Sequence, residues 1–235
     1  MKVSKIYLKH IRCFEEITID LATDIGAYDW SLILGNNGAG KTTILRSLAM
    51  GLCDKTGAAG LLQDTYGNMI RFGKEDATIR IDLVHESKTY SVTTKIKKSS
   101  KEIEVLTQKR ADDFPWDSLF VCGYGANRSI RGSKVYDEYS IADALYTLFE
   151  YNAQLQNPDL MLRRRATSED ELQESANWIN EVLMLEEGST KIDSRGIGIK
   201  DQMSSEITYG SVPDGYAATI TLVSDMLGWA LLADK

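Results

Sequence analysis

The stretch Gly35-Asn36-Asn37-Gly38-Ala39-Gly40-Lys41-Thr42-Thr43 decides the fold of this chain. Gly35, four residues, then Gly40-Lys41-Thr42 is the spacing of a loop that wraps phosphates. Glycines let the backbone turn tightly, so that successive N–H groups converge into an anion-binding nest. A helix that starts at the end of the loop adds its positive dipole end. In such a loop Lys41 reaches the β- and γ-phosphates and the Thr42 hydroxyl ligates Mg²⁺. The apolar run Trp30-Ser31-Leu32-Ile33-Leu34 comes before it and reads as a strand. After it, Ile44, Leu45, Leu48, Ala49 and Leu52 recur at the spacing of one helical face. A chance glycine turn is the bland alternative, and strand, loop and helix together weigh against it. The expected ligand is a nucleoside triphosphate.

Working outward, 235 residues suffice for one large domain or two small ones. A net charge of −7 gives the body as a whole no attraction for nucleic acid. Two local basic runs exist, Lys95, Lys97, Lys98 and Lys101, and Arg163 to Arg165. They read as solvated faces, with DNA contact as the alternative. Cys13, Cys53 and Cys122 lie too far apart for a zinc site or a disulfide framework. His10 and His85 are isolated. No signal peptide and no apolar run long enough to span a bilayer is visible, so a cytoplasmic protein without a membrane partner is expected.

Residues 3–21 read as two strands, joined by a turn at Ile11-Arg12-Cys13-Phe14. A poorly periodic stretch follows the loop helix, to about Gly73. Alternation at Ile79, Ile81 and Leu83, then at Tyr90, Val92, Thr94 and Ile96, predicts an antiparallel hairpin, extended by Ile103 and Val105. Leu119-Phe120-Val121-Cys122 reads as a buried strand. Ser140 with Asp143, Asn157-Pro158, and Ser168 with Glu171 are helix-start signals that place a helical block over 140–190. Short strands are expected near Ile192, Ile197–Ile199 and Ile207, and a last helix from about Asp214, with Ile220, Leu227 and Leu231 on one face. The organisation expected is a core with an antiparallel β layer over 1–139, a helical block over 140–190, and strands with a final helix over 191–235.

These motifs resemble a known family. KVSKIYLKHIRCFEEITIDL (2–21) followed by LILGNNGAGKTTIL (32–45) is similar to the head of ABC-type ATPases of the RecF, SMC and OLD group, also called AAA-family ATPases. FVCGYGANR (120–128) resembles the strand and loop before their helical block. YGSVPDGYAATITLVSDMLGW (209–229) resembles their signature turn and helix. The short helical block, in place of a long coiled coil, resembles compact ATPases of phage-defence systems such as the Septu type, which accompany a nuclease. The resemblance implies an α/β ABC-type head with a mixed central sheet, an antiparallel β layer and a helical insertion.

It also implies ATP and Mg²⁺ as ligands and a homodimer of heads that sandwiches two nucleotides. Carried over by position, Gly35, Asn36, Asn37, Gly38, Ala39, Gly40, Lys41, Thr42 and Thr43 hold ATP in cis, with Thr42 on the metal. Arg12 contacts phosphate or base, or is a plain surface turn residue. Asp214 and Gly215 cap the γ-phosphate in trans, or form an ordinary turn. Asn127 and Arg128 belong to a coupling loop, or Arg128 pairs structurally. The signature serine is matched by Pro213, which has neither hydroxyl nor N–H, so the contact weakens or shifts to Ser211 and backbone groups.

Hydrolysis needs an acidic pair at the end of an apolar strand. Phe120–Cys122, Ile81–Glu86 and Leu222–Asp225 do not supply it, so no catalytic residue is assigned. The sequence ends at Lys235, near the end of the signature helix, and reads as the first part of a longer ATPase that is inactive by itself. The leading functional expectation is a conformational ATPase that controls a nuclease or another effector in phage defence. The main alternative is a DNA-clamping head of a repair or chromosome-maintenance protein. A transporter subunit and a phosphotransferase fit less well.

Overall fold

The structure is a computed structural model that describes residues 1–23, 26–27, 30–63, 69–99, 104–126, 135–166, 168–200 and 206–234. The chain divides into two compact units, one of residues 1–123 with 141–150, the other of 124–140 with 151–235.

The first unit is built on a five-stranded antiparallel sheet. β1 (Lys2–Ile11), β2 (Phe14–Asp20), β5 (Asp76–His85), β6 (Lys88–Lys98) and β7 (Glu104–Lys109) lie in the order β2-β1-β5-β6-β7. A two-residue pair, β3 (Ala22–Thr23) with β4 (Gly26–Ala27), follows β2. Alternation sets the register, because a slip of one residue would send the whole apolar set to the wrong face. Ile6 pairs with Ile81 and Leu8 with Ile79, and Ile81 in turn pairs with Val92. Those side chains are buried on one face, while Tyr7, Lys9, Thr78, Arg80 and Lys95 turn outward.

Helices α1 (Lys41–Leu52) and α2 (Lys55–Gln63) cover the buried face. The close approach of α1 depends on Gly51, where an added Cβ would lie 2.2 Å from Ile81 Cδ1. The stretch expected to be irregular contains α2. Gly57 and Gly60 hide its periodicity, and Asp54 starts it by accepting the Gly57 N–H at 2.6 Å. Residues 141–150, with the short helix α3 (Ile141–Leu145), pack on this unit, where Leu145, Leu148 and Phe149 join its core.

Two expected strands are absent among the described residues. Trp30–Leu34 has no regular secondary structure, no described strand pairs with it, and Trp30, Leu32 and Leu34 are 79%, 68% and 79% exposed. Leu119–Cys122 follows a 3-10 turn at Trp116–Ser118 and is not assigned to a strand, with Leu119 buried and Phe120 exposed. An apolar run marks a strand only where another strand supplies its backbone hydrogen bonds, which the sequence of the run does not state.

The second unit holds α4 (Pro158–Arg165), α5 (Glu169–Leu183) and α6 (Asp214–Ala233) with an antiparallel sheet of β8 (Thr190–Asp193), β9 (Gly196–Lys200) and β10 (Glu206–Thr208). Met161, Leu162, Ile179, Ile197, Ile199, Ile220 and Val223 form its core. The cap signals act as expected: Asn157 accepts from the Leu160 N–H, and Ser168 from the Glu171 N–H.

Helix α6 departs from expectation in two ways. By length and composition it is apolar enough to cross a membrane, against the reading that no such run exists, although half of that stretch is buried inside this unit. Its most deeply buried side carries Thr221, Ser224 and Asp225 beside Ile220 and Trp229, whereas Leu227 and Leu231 are only half-buried. Asp225 binds three donors: the Gln156 N–H at 2.9 Å, the Tyr124 hydroxyl at 3.0 Å and the Trp229 indole N–H at 2.9 Å. That web accounts for a carboxylate in a helix core.

Candidate nucleotide-binding site

The loop Gly35–Gly40 turns sharply between the 30–34 segment and α1. The Ala39 N–H donates to the Asn36 carbonyl at 3.2 Å, and Gly38 and Gly40 adopt φ of 82° and 96°. Only glycine takes such angles without strain. Gly40 is constrained a second time, since an added Cβ would lie 2.5 Å from Phe14 Cζ and 2.6 Å from Cys13 Sγ. The turn between β1 and β2 therefore packs directly on the phosphate loop. That contact joins two segments separated by more than twenty residues of sequence.

No side chain caps the start of α1, and no acidic residue sits in its first turn. Its positive end is thus left for an anion. The Lys41 ammonium folds over the loop and donates to the carbonyls of Gly35 and Asn36 at 2.7 and 2.9 Å. Arg12, Cys13, Asn37, Gly38, Gly40, Lys41, Thr42 and Thr43 line a cavity of about 440 Å³. Thr42 is exposed there and offers its hydroxyl, whereas Thr43 is buried. Gly35, Asn36 and Ala39 shape the turn rather than the cavity wall.

Arg12 reaches this site because its turn is held. Its φ is 44°, its N–H donates to the Met69 carbonyl at 3.0 Å, and Arg71 donates to the carbonyls of Arg12 and Cys13 at 3.0 and 2.7 Å. Behind it, Arg46 donates to the Leu148 carbonyl at 2.9 Å. Burial, and then the neighbouring Arg12 guanidinium, push Arg46 below its usual pKa. Cations are thus gathered around a helix start, the arrangement that a polyphosphate needs. Another cysteine of this unit, Cys53, is buried, and its thiol is pushed up to about 12 by desolvation and by Asp54.

The family described as "AAA domain" matches residues 5–203. The chain belongs to the AAA domain family. Among solved structures, it is similar to the SMC head domain from Thermotoga maritima, with a TM-score of 0.52 and 14% identity over 96% of this chain and 72% of that one. At that identity the likeness concerns the fold, and the fold is that of a P-loop ATPase head of the RecF and SMC group. No curated protein sequence matches the chain.

In this AAA domain the other expected residues stand as follows. Asp214 and Gly215 open α6 in the second unit, both exposed, after Pro213, which gives no side-chain cap. Asn127 and Arg128 lie outside the described residues. Among the acids searched for a catalytic pair, Asp82 is held by Arg80 at 2.9 Å and by the Ser91 hydroxyl at 2.6 Å. Asp225 is enclosed by its three donors. Among the described residues, no three His, Cys, Asp or Glu side chains cluster as metal ligands.

Cys13, Phe14, Arg46 and Arg71 are the site residues that sequence reasoning missed. Their signal was the hairpin of β1 and β2, whose turn had been located, but nothing in the local pattern says that this turn meets Gly40.

Proposed function

We propose that this AAA domain binds Mg²⁺-ATP as the head of a nucleotide-driven switch. The observation that carries the proposal is the phosphate loop, with the Lys41 ammonium and the uncapped start of α1 opening on one cation-lined cavity. Gly35 to Thr43 would enclose the triphosphate tail, with Arg12 as a second cation and Thr42 as the protein's metal ligand. Mg²⁺ would supply charge neutralisation between the β- and γ-phosphates. Hydrolysis needs acidic groups that none of the described carboxylates supplies at this cavity, so the chain by itself is expected to bind ATP without appreciable turnover. Asp214 and Gly215 would act from a second copy, so that ATP closes a pair of heads and its release opens them. The short helices α3, α4 and α5 suit a compact cytoplasmic ATPase that transmits this closure to an effector such as a nuclease, in antiviral defence.

Thiol labelling tests the site. Cys13 is exposed at the cavity, whereas Cys53 is buried with a raised thiol pKa. A maleimide is expected to label Cys13 well before Cys53, and saturating Mg²⁺-ATP should slow the Cys13 reaction about tenfold or more by covering it. An unchanged Cys13 rate in ATP would refute nucleotide binding at this loop.

A second reading, a head that also clamps DNA, is favoured by one observation. Lys9, Lys95, Lys97 and Lys109 lie on the outer face of the five-stranded sheet. Lys9, Thr78, Lys95 and Thr107 fall in a single cross-strand row. Elsewhere on this face Lys5 is paired with Asp20 and Arg80 with Asp82, but these four lysines have no ion-pair partner among the described residues. If DNA binds here, Lys95→Glu with Lys97→Glu should weaken it about equally for all sequences. Each lost phosphate contact should reduce the salt slope by about one. DNA affinity that the double variant leaves intact would rule out this face.

A further inference from the structure

We propose that the groove between α5 and α6 docks a basic helical segment of a partner protein, one whose apolar ridge is flanked by lysines or arginines. Leu227, Ala230 and Leu231 of α6 form an apolar floor and Trp178 of α5 a wall, enclosing about 300 Å³. Trp178 is 48% exposed and has no ring or hydrogen-bond partner among the described residues. One turn on, Val182 continues the exposed apolar strip along α5. A groove between two packed helices with a large unpartnered aromatic is the shape that accepts the ridge of a third helix.

The rim chooses the partner's charge. Glu171, Glu174 and Asp234 edge the groove. Neither α5 nor α6 carries a single lysine or arginine. Dipole attraction accounts for Glu169, Asp170 and Glu171 in the first turn of α5, but not for Glu174 beyond it. Asp234 closes the C-terminal end of α6, where the dipole opposes a negative charge. Some other surface carboxylates of this chain have cations beside them: Asp20 has Lys5, Asp113 has Lys88 and Asp193 has Arg195. Glu174 and Asp234 have none among the described residues. Partner cations would remove this repulsion while an apolar ridge covers Trp178. Nucleic acid would be repelled by the rim, and a second copy would bring the same negative face.

The groove lies wholly within the second unit, so its test is separate from that of ATP binding. The probe is a fluorescent helical peptide of leucines and lysines, with leucines spaced for one face. Its controls are the same peptide with glutamate for lysine and one of equal composition in scrambled order. With the full chain, the leucine–lysine helix should bind at least about tenfold tighter than either control, and added NaCl should weaken it. Glu174→Lys with Asp234→Lys, and separately Trp178→Ala, should each lower its affinity about tenfold while ATP binding stays unchanged. Equal binding of the scrambled peptide, or full affinity in the charge-reversed chain, would overturn the proposal. Should a variant unfold by circular dichroism, a photocrosslinker on the peptide decides with the unaltered chain. Crosslinks on α5 and α6 support the groove, and crosslinks elsewhere sink it.

Discussion

Lys41→Ala is expected to lower ATP affinity by at least about a hundredfold, near 3 kcal/mol, because one residue performs two tasks at the loop. At the proposed site its ammonium would meet the β- and γ-phosphates. It also holds the Gly35 and Asn36 carbonyls at 2.7 and 2.9 Å, and without it those two oxygens would face the incoming anion unneutralised. Lys41→Arg should not restore binding, since a wider planar fork cannot stand in for a compact ammonium inside a tight loop. Titration calorimetry with Mg²⁺-ATP measures the effect directly. As a second readout, ATP should raise the melting temperature of the parent chain and leave that of Lys41→Ala in place. Parent-like affinity in the variant would overturn the proposed site.

Asp225→Ala is expected to destabilise the second unit by about 3 kcal/mol or more, since it strands the Gln156 N–H, the Tyr124 hydroxyl and the Trp229 indole N–H and leaves a cavity. Asp225→Asn should cost less, about 1–3 kcal/mol, because an amide oxygen can serve only part of the web. The two variants differ in their pH behaviour. Desolvation raises the Asp225 carboxyl above its ordinary value, and its three donors only partly offset this. The folded chain therefore holds this proton at pH values where the unfolded chain has lost it. Stability from this residue is greatest below the unfolded pKa and declines as pH rises through the folded one, starting near about pH 4. The parent-minus-Asp225→Asn difference in urea unfolding free energy should fall with rising pH across that window. A difference that rises with pH would contradict the assignment of burial as the dominant cause.

Much of this architecture was legible because it is local. Alternation in Ile79–Leu83 and Tyr90–Ile96 placed the hairpin, and Asn157 and Ser168 marked their helix starts through hydrogen bonds spanning only three residues. Gly35 to Thr43 announced a phosphate loop because the spacing is itself the geometry. What failed to show was non-local. Helix α2 was masked by Gly57 and Gly60, whose low propensity is outweighed by the burial of Ala58, Leu61 and Leu62. Trp30–Leu34 carries a strand's composition without a paired strand among the described residues. The polar side of α6 is buried because Tyr124 and Gln156, distant in sequence, come to Asp225. For the site, Arg12 was visible as a turn cation, but the seating of Cys13 and Phe14 against Gly40 is a tertiary contact.

The bare ribbon of Trp30, Leu32 and Leu34 has a practical consequence. An exposed apolar edge of this kind is expected to draw molecules of the chain together in water, whether or not nucleotide is present. Such clumping should grow with protein concentration and persist in Lys41→Ala, whereas pairing driven by ATP should vanish in that variant. Light scattering on the two proteins side by side would separate the unspecific process from the regulated one.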